Sequence, residues 1–205
     1  MTPPDAAAAV AVQPGTIVLL NGTSSSGKTT LARELLTGFA TPWFHLAVDD
    51  FGAMRSVPQT AALDAEQVAV VLRRTRAGFH RSVAAMAAAG NDVVADLVLS
   101  ERWRLLDCLT IFAGHRVVFV GLHCSAEELH RRERARGDRT AGQAATQLAH
   151  VHAHGRYDLE LDTETTSPAD CARQVRAFLA LPARATAFDQ LRSDLAGGST
   201  GPDRR

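Results

Sequence analysis

The chain has 205 residues, and its 22 Lys plus Arg balance 22 Asp plus Glu. With 46% hydrophobic and 21% charged residues, the composition is that of a globular domain and excludes wholesale disorder, collagen-like repeats and coiled coils. The length suits one domain, and a neutral chain lacks the basic excess of a protein held by nucleic-acid phosphates.

The first ten residues carry Asp5 and two prolines where a signal peptide would carry basic residues. No run approaches the ~18 apolar residues of a membrane span. Cys108, Cys124 and Cys171 form no C-x-x-C pair, so neither a disulfide framework nor a cysteine zinc site is expected. A cytoplasmic protein with no membrane or nucleic-acid partner is the expectation, and the oligomeric state stays open. Lys28 is the only lysine.

In chain order, residues 1–14 read as a flexible Ala/Pro-rich end. Thr16–Asn21 is an apolar strand run between Gly15 and Gly22, and residues 29–37 form a helix ended by Gly38. Residues 43–48 read as a second strand stopped by Asp49 and Asp50. Residues 64–89 carry apolar groups at helical spacing (Val68, Val71, Leu72, Phe79, Val83, Met86), with Gly90 beyond the end. Residues 92–98 give a third strand, 101–112 a helix and 116–122 a fourth strand. Ser125 and Glu128 have capping-box spacing at the start of another helix. Residues 158–161 are a weak fifth strand, and Ser167-Pro168 opens a last helix to about 181. Residues 183–205 read as a second flexible end, with a short helix available at 188–195. Alternating strands and helices predict an α/β fold: a five-stranded parallel sheet covered on both faces, with the domain spanning 15–182. The strand order is not readable from this pattern.

Gly22-Thr23-Ser24-Ser25-Ser26-Gly27-Lys28-Thr29 fits G-x-x-x-x-G-K-[ST] at every fixed position, between a buried strand and an amphipathic helix. Glycines let backbone N–H groups curl around phosphate oxygens, and the helix N-terminus, continuing into Thr30, adds its dipole. Lys28 would reach the β/γ-phosphates of ATP and the Thr29 hydroxyl would ligate Mg²⁺. Asp49 and Asp50, with Phe51 after them, follow the second strand, so a parallel sheet brings them to the same edge as the phosphate loop. Asp96 lies inside an apolar run near the end of the third strand, where a carboxylate holds Mg²⁺ or orients an acceptor hydroxyl. Against this, Asp is also common in strand-end turns and helix caps.

Arg131, Arg132, Arg134, Arg136 and Arg139 bracket Gly137 at a helix end. Such a cluster is either a solvated charged face paired with Glu127, Glu128 and Glu133, or an arginine-rich lid that closes on phosphates. The first reading suits Arg131 and Arg134; the second is favoured for Arg132, Arg136 and Arg139. His150 and His154 have i,i+4 spacing, but no carboxylate or cysteine lies near them in sequence to complete a zinc set. Trp43 and Trp103 read as core or pocket wall.

The segments 20–29, Trp43–Asp49, Arg136–Arg139, His152, Tyr157-Asp158 and Asp162-Thr163 resemble the chloramphenicol phosphotransferase family over roughly 15–181. That resemblance implies a three-layer P-loop NTPase of the nucleotide-kinase kind, using ATP and Mg²⁺ to phosphorylate a small-molecule hydroxyl. It puts the base at Asp49, the strand-3 acid at Asp96, and the lid arginines at Arg132, Arg136 and Arg139. Two departures stand out: Leu97 follows Asp96 where the family tends to a second acid, and residues 51–66 are shorter and dissimilar. The expected function is therefore O-phosphotransfer to an antibiotic hydroxyl, chloramphenicol-like or a nucleoside natural product, with resistance by inactivation. A kinase of a nucleoside, sugar or nucleotide-sugar is the alternative, and a nucleotide-dependent switch a more distant one. The guanine-reading N-K-x-D of many switches needs a lysine this chain lacks.

Overall fold

A computed structural model describes residues 12–136 and 143–197. Five strands form one sheet: β1 (Ile17–Asn21), β2 (Trp43–Ala47), β3 (Asp92–Leu97), β4 (Val117–His123) and β5 (Leu159–Asp162). Every pairing is parallel, in the order β2-β3-β1-β4-β5. Between them run α1 (Lys28–Gly38), α2 (Val48–Ala53), α3 (Val57–Ala61), α4 (Ala65–Ala88), α5 (Arg102–Ile111), α6 (Ala126–Arg136), α7 (Gln143–Val151), α8 (Pro168–Leu179) and α9 (Ala187–Gly197). Among the described residues, no helix is long and apolar enough to cross a membrane.

The period of two along each strand sorts the core into two layers. Ile17 and Leu19 of β1, Val93 and Ala95 of β3, and Phe119 of β4 face α4, α5 and α9. Val18, Leu20, Val94 and Val120 face α1 and α8. Strands buried on both faces need near-continuous apolar runs, which is why these segments stand out in the sequence. The same parity fixes the site: Asp96 shares Val94's face, so its carboxylate emerges under the N-terminus of α1. Asn21, of the opposite parity, points to the other face.

Two boundaries differ from the sequence reading. β2 stops at Ala47, and Val48 opens α2. Asp49 and Asp50 occupy the first turn of that helix, where carboxylates suit the dipole, so they end the strand by starting a helix. The C-terminal stretch is not loose throughout, because α9 docks on the sheet and Phe188 is fully buried. Its ring lies edge-on to Phe119 at 4.9 Å and 6.3 Å from Phe112. Asp158 fixes the docking, its carboxylate accepting from Phe119 N–H and Ala187 N–H, each at 2.8 Å. The flexible ends proposed at 1–14 and 183–205 otherwise fall largely outside the described residues. Phe188→Ala is expected to cost about 3–5 kcal/mol in urea unfolding, the range for emptying an aromatic site in a core. A loss below about 1 kcal/mol would place α9 outside the cooperative fold.

Candidate active site

The chain leaves β1 at Asn21 and enters α1 at Lys28, winding tightly between them. Ser25 (φ 63) and Gly27 (φ 92) both adopt left-handed backbone. Glycine takes that conformation freely, whereas a serine pays roughly 1–3 kcal/mol for it. The winding turns polar groups inward. Ser24 N–H donates to Gln147 Oε1 on α7 at 2.7 Å, and the hydroxyls of Ser24, Ser25 and Ser26 are buried with no partner. Buried polar atoms are nearly always paired, so this loop is a cradle of donors short of acceptors. Phosphate oxygens fit it.

Lys28, 8% exposed, donates from Nζ to the carbonyls of Gly22 (3.1 Å) and Thr23 (2.7 Å). Asp96 Oδ1 is 3.9 Å away. Thr29 Oγ1 donates to Asp96 Oδ2 at 2.6 Å, and His45 Nε2 lies 3.8 Å from the same oxygen. Burial works against the Asp96 charge, but the Lys28 charge, followed by His45 and Thr29, outweighs it and holds the carboxyl below its usual range. A hydroxyl and an ionised carboxylate side by side, next to a phosphate cradle, are the oxygen donors that Mg²⁺ takes.

Asp49 lines the same cavity of about 490 Å³ as Ser24, Lys28, Thr29 and Asp96. Asp50 and Phe51 are not among its lining residues; Phe51 turns onto Phe79, edge-on at 5.2 Å. A second cavity, of about 380 Å³, lies on the other side of Ser25 and Gly27, which line both. Thr30, Leu31, Arg132 and Thr163 are among its walls.

The arginine cluster divides. Arg131 makes a surface pair with Glu128, Nε to Oε2 at 2.6 Å. Arg132 shares that glutamate at 2.7 Å and turns its other nitrogens inward, Nη2 donating to Thr163 O at 2.8 Å and Nη1 to Ser25 O at 3.4 Å. Hydrogen bonds from these two guanidiniums pull Glu128 down to about 2. Thr163 Oγ1 in turn donates to Ser26 O at 2.9 Å. The phosphate loop is thus pinned to α6 and to the end of β5. The Arg136 side chain and Arg139 lie outside the described residues.

Several site residues escape sequence reasoning. Asn21, fully buried, donates from Nδ2 to Val151 O (2.8 Å) and Tyr157 Oη (2.7 Å), and accepts from Leu99 N–H (2.8 Å). Tyr157 Oη and His152 Nδ1 are 2.6 Å apart, so the phenol passes the chain of donors on to a neutral imidazole. The Tyr157 ring lies flat on Gly121, where any Cβ would come within 2.7 Å of it. His154 sits beyond the end of α7, its ring 4.9 Å from that of Phe119, so it does not share a helix face with His150. Arg55, Arg76 and Arg104 also line the larger cavity. A signal for two of them is legible: Arg76 falls on the apolar stripe Leu72–Phe79–Val83 of α4, and Arg104 on the buried stripe of α5 with Cys108. An arginine on a core-facing stripe needs a reason.

The model of a family described as chloramphenicol phosphotransferase-like protein matches residues 15–180. Proteins from two strains of Mycobacterium tuberculosis, both bearing the name O-phosphotransferase, are 34% identical over 90% of this chain and 92% of their own. Among solved structures, an APS kinase of Mycobacterium tuberculosis in complex with AMPPNP and APS has a TM-score of 0.60 at 18% identity, covering 82% of this chain and 99% of that one. A tunicamycin resistance protein of Deinococcus radiodurans also reaches 0.60, at 16% identity, over 82% of this chain and 97% of its own. At such identities the structural likeness speaks for the fold.

Burial, with the charges of His123, His154 and Lys28, lowers His152 from 6.5 to about 4. The unfolded chain gains this proton near 6.5 and the folded chain only near 4, so stability falls as pH drops through that window. His152→Asn, which keeps an acceptor without a titrating ring, is expected to make the fall of Tm from pH 6.5 to 4 shallower. His80 and His154, lowered in the same sense, keep it from vanishing. An unchanged slope would show that Tyr157 and His152 are not coupled to folding.

Proposed function

Because the chain belongs to the chloramphenicol phosphotransferase-like family, we propose that it is an ATP-dependent O-phosphotransferase acting on the hydroxyl of a small molecule. The single observation that carries this reading is the larger cavity, where Asp49 and the donor-rich phosphate cradle line one space. A nucleotide switch needs the cradle alone; an acceptor site beside it is what a kinase needs.

In this reading the serine hydroxyls and backbone amides of residues 22–29 hold the phosphates, and the cavity beside Thr30 and Arg132 takes the rest of the nucleotide. Thr29 and Asp96 would hold Mg²⁺, which supplies charge neutralisation on the phosphate oxygens. Asp49 takes the proton of the acceptor hydroxyl while its oxygen bonds to the γ-phosphorus and the bond to the ADP oxygen breaks. Lys28 follows the phosphoryl group between the two, and Arg136 and Arg139 add positive charge to it. Such transfers are largely positioning plus charge stabilisation, which suits a site with one base and many cations. The family description brings an antibiotic alcohol to this chain as the first acceptor class, with inactivation as the outcome, and nucleoside natural products as the next. Three free thiols support a reducing, cytoplasmic setting.

Asp49→Asn keeps size and hydrogen bonding but lacks basicity. It is expected to lower turnover of labelled ATP onto an acceptor by ~10²–10⁴-fold, while calorimetric Mg·ATP affinity moves by less than about 1 kcal/mol. Loss of nucleotide binding would make Asp49 part of the metal shell. Lys28→Ala should abolish transfer in a folded protein, and near-normal turnover there would remove the phosphate-cradle reading. Arg136→Ala or Arg139→Ala should cost ~10- to 1000-fold in kcat with little change in Tm; the reverse pattern would make them structural.

A further inference from the structure

Three guanidiniums, those of Arg55, Arg76 and Arg104, line the same cavity as Asp49. Arg55 follows α2, whose first turn holds Asp49, and its Nη2 is 3.9 Å from where a Gly52 Cβ would stand. Its Nε and Nη1 are buried without a hydrogen-bond partner. Arg104 reaches back from α5 to donate from Nη1 to Val98 O at 2.8 Å, beside the end of β3. It pairs through Nη2 with Glu101. Its side chain is 9% exposed, yet its Nε also has no partner. Arg76, half-buried on α4, makes no ion pair or hydrogen bond among the described residues and stands close enough for its charge, after burial, to work against that of Arg104.

The negative charge on hand does not cover this. Glu101 is shared by Arg104, by Trp103 Nε1, which donates to it at 2.7 Å, and by the nearby charge of Arg76, so one carboxylate stands against two guanidiniums. Asp96 is committed to Lys28 and Thr29, and in the phosphotransfer reading Asp49 serves the acceptor hydroxyl. Buried guanidinium donors left unpaired carry a desolvation cost that no hydrogen bond among the described residues offsets, and the like charges of Arg76 and Arg104 add to it. Planar guanidinium forks lining one cavity suit the recognition of an oxyanion.

Resting on the phosphotransfer reading above, we infer that the acceptor alcohol already carries an oxyanion, a phosphate, sulfate or carboxylate, held by Arg55, Arg76 and Arg104 while Asp49 faces its hydroxyl. The product then bears two anionic groups. The reaction preceding this one leaves an anionic alcohol, and chloramphenicol, a neutral molecule, is a poor fit.

The test fills the cradle first. Protein saturated with the Mg²⁺ complex of a non-hydrolysable ATP analogue is titrated with inorganic phosphate at constant ionic strength, followed by calorimetry and Tm. Phosphate is expected to bind and raise Tm, and Arg55→Gln or Arg76→Gln to weaken it ~10- to 100-fold, the range for losing a charge-assisted contact. Both arginines are only partly buried, so the variants should fold; a melt without phosphate checks this. In turnover, the anionic member of matched pairs (ribose 5-phosphate against ribose, AMP against adenosine) is expected to have the higher kcat/KM, and Arg76→Gln to narrow the gap through KM. No phosphate binding in a protein that binds the analogue overturns the anionic acceptor and leaves phosphotransfer standing. Phosphate binding that neither variant weakens, or a neutral alcohol used better than its anionic partner, overturns it as well. Failure to bind the analogue overturns both readings.

Discussion

The site depends on one buried negative charge. Asp96 sits near the carboxyl end of β3, between β1 and β2, 5% exposed, and a carboxylate there is tolerable only if charge and hydrogen bonds meet it. The strand parity aims it at the N-terminus of α1, so the residues that meet it are the first two of that helix, Lys28 and Thr29. The loop before α1 is thereby drawn down onto the sheet edge, with its serines buried and its backbone forced into left-handed turns. Take the carboxylate away and the loop keeps its sequence but loses the anchor that shapes it.

Around that anchor the site is held from three directions. Arg132 and Thr163 reach the loop from α6 and the end of β5, Gln147 from α7, and Asn21 ties its first residue to the segment carrying Val151 and Tyr157. Each contact is long-range in sequence and short in space, and those from Arg132, Thr163 and Gln147 end on backbone groups of the loop. The two cavities that meet at Ser25 and Gly27 have different walls. The one on the α6 side is built by the arginine-bearing helix and the start of α8; the one on the β2–β3 side is built by α2, α4 and α5. Gly52, Ala53 and Arg55, from the stretch just after Asp49, line the cavity on the β2–β3 side.

Much of this was legible in the sequence, and the exceptions have physical reasons. Strands buried on both faces announce themselves as apolar runs, and the phosphate loop is local, so β1 to β4 and residues 22–29 could be read directly. Strand order could not, because every crossover in a parallel sheet looks alike along the chain. α2 was hidden since a six-residue helix has no apolar period to show, and its two acids also read as a strand stop. A helix at 188–195 was readable, and α9 is that helix, but its docking was not: it hangs on Asp158, thirty residues upstream, and on Phe188, one buried ring beside a Gly/Ser/Arg-rich tail. Asn21 looked like the last residue of a strand; its three partners come from elements that only the fold assembles. Arg76 and Arg104 leave a trace in the sequence as cations on apolar stripes, but only the fold brings them to one cavity.

Lys28 carries a consequence of another kind. The chain holds a single side-chain amine, and it is folded onto the carbonyls of Gly22 and Thr23 beneath the phosphate cradle. Amine-directed acylation therefore has one internal target, and its rate reports how often that lysine leaves its carbonyls. A protease that cuts only after lysine finds its one internal site in the first turn of α1, so a single cleavage separates residues 1–28 from the rest and measures local opening of the loop. The many arginines give no competing signal in either case. Few proteins let such general reagents read one position so cleanly.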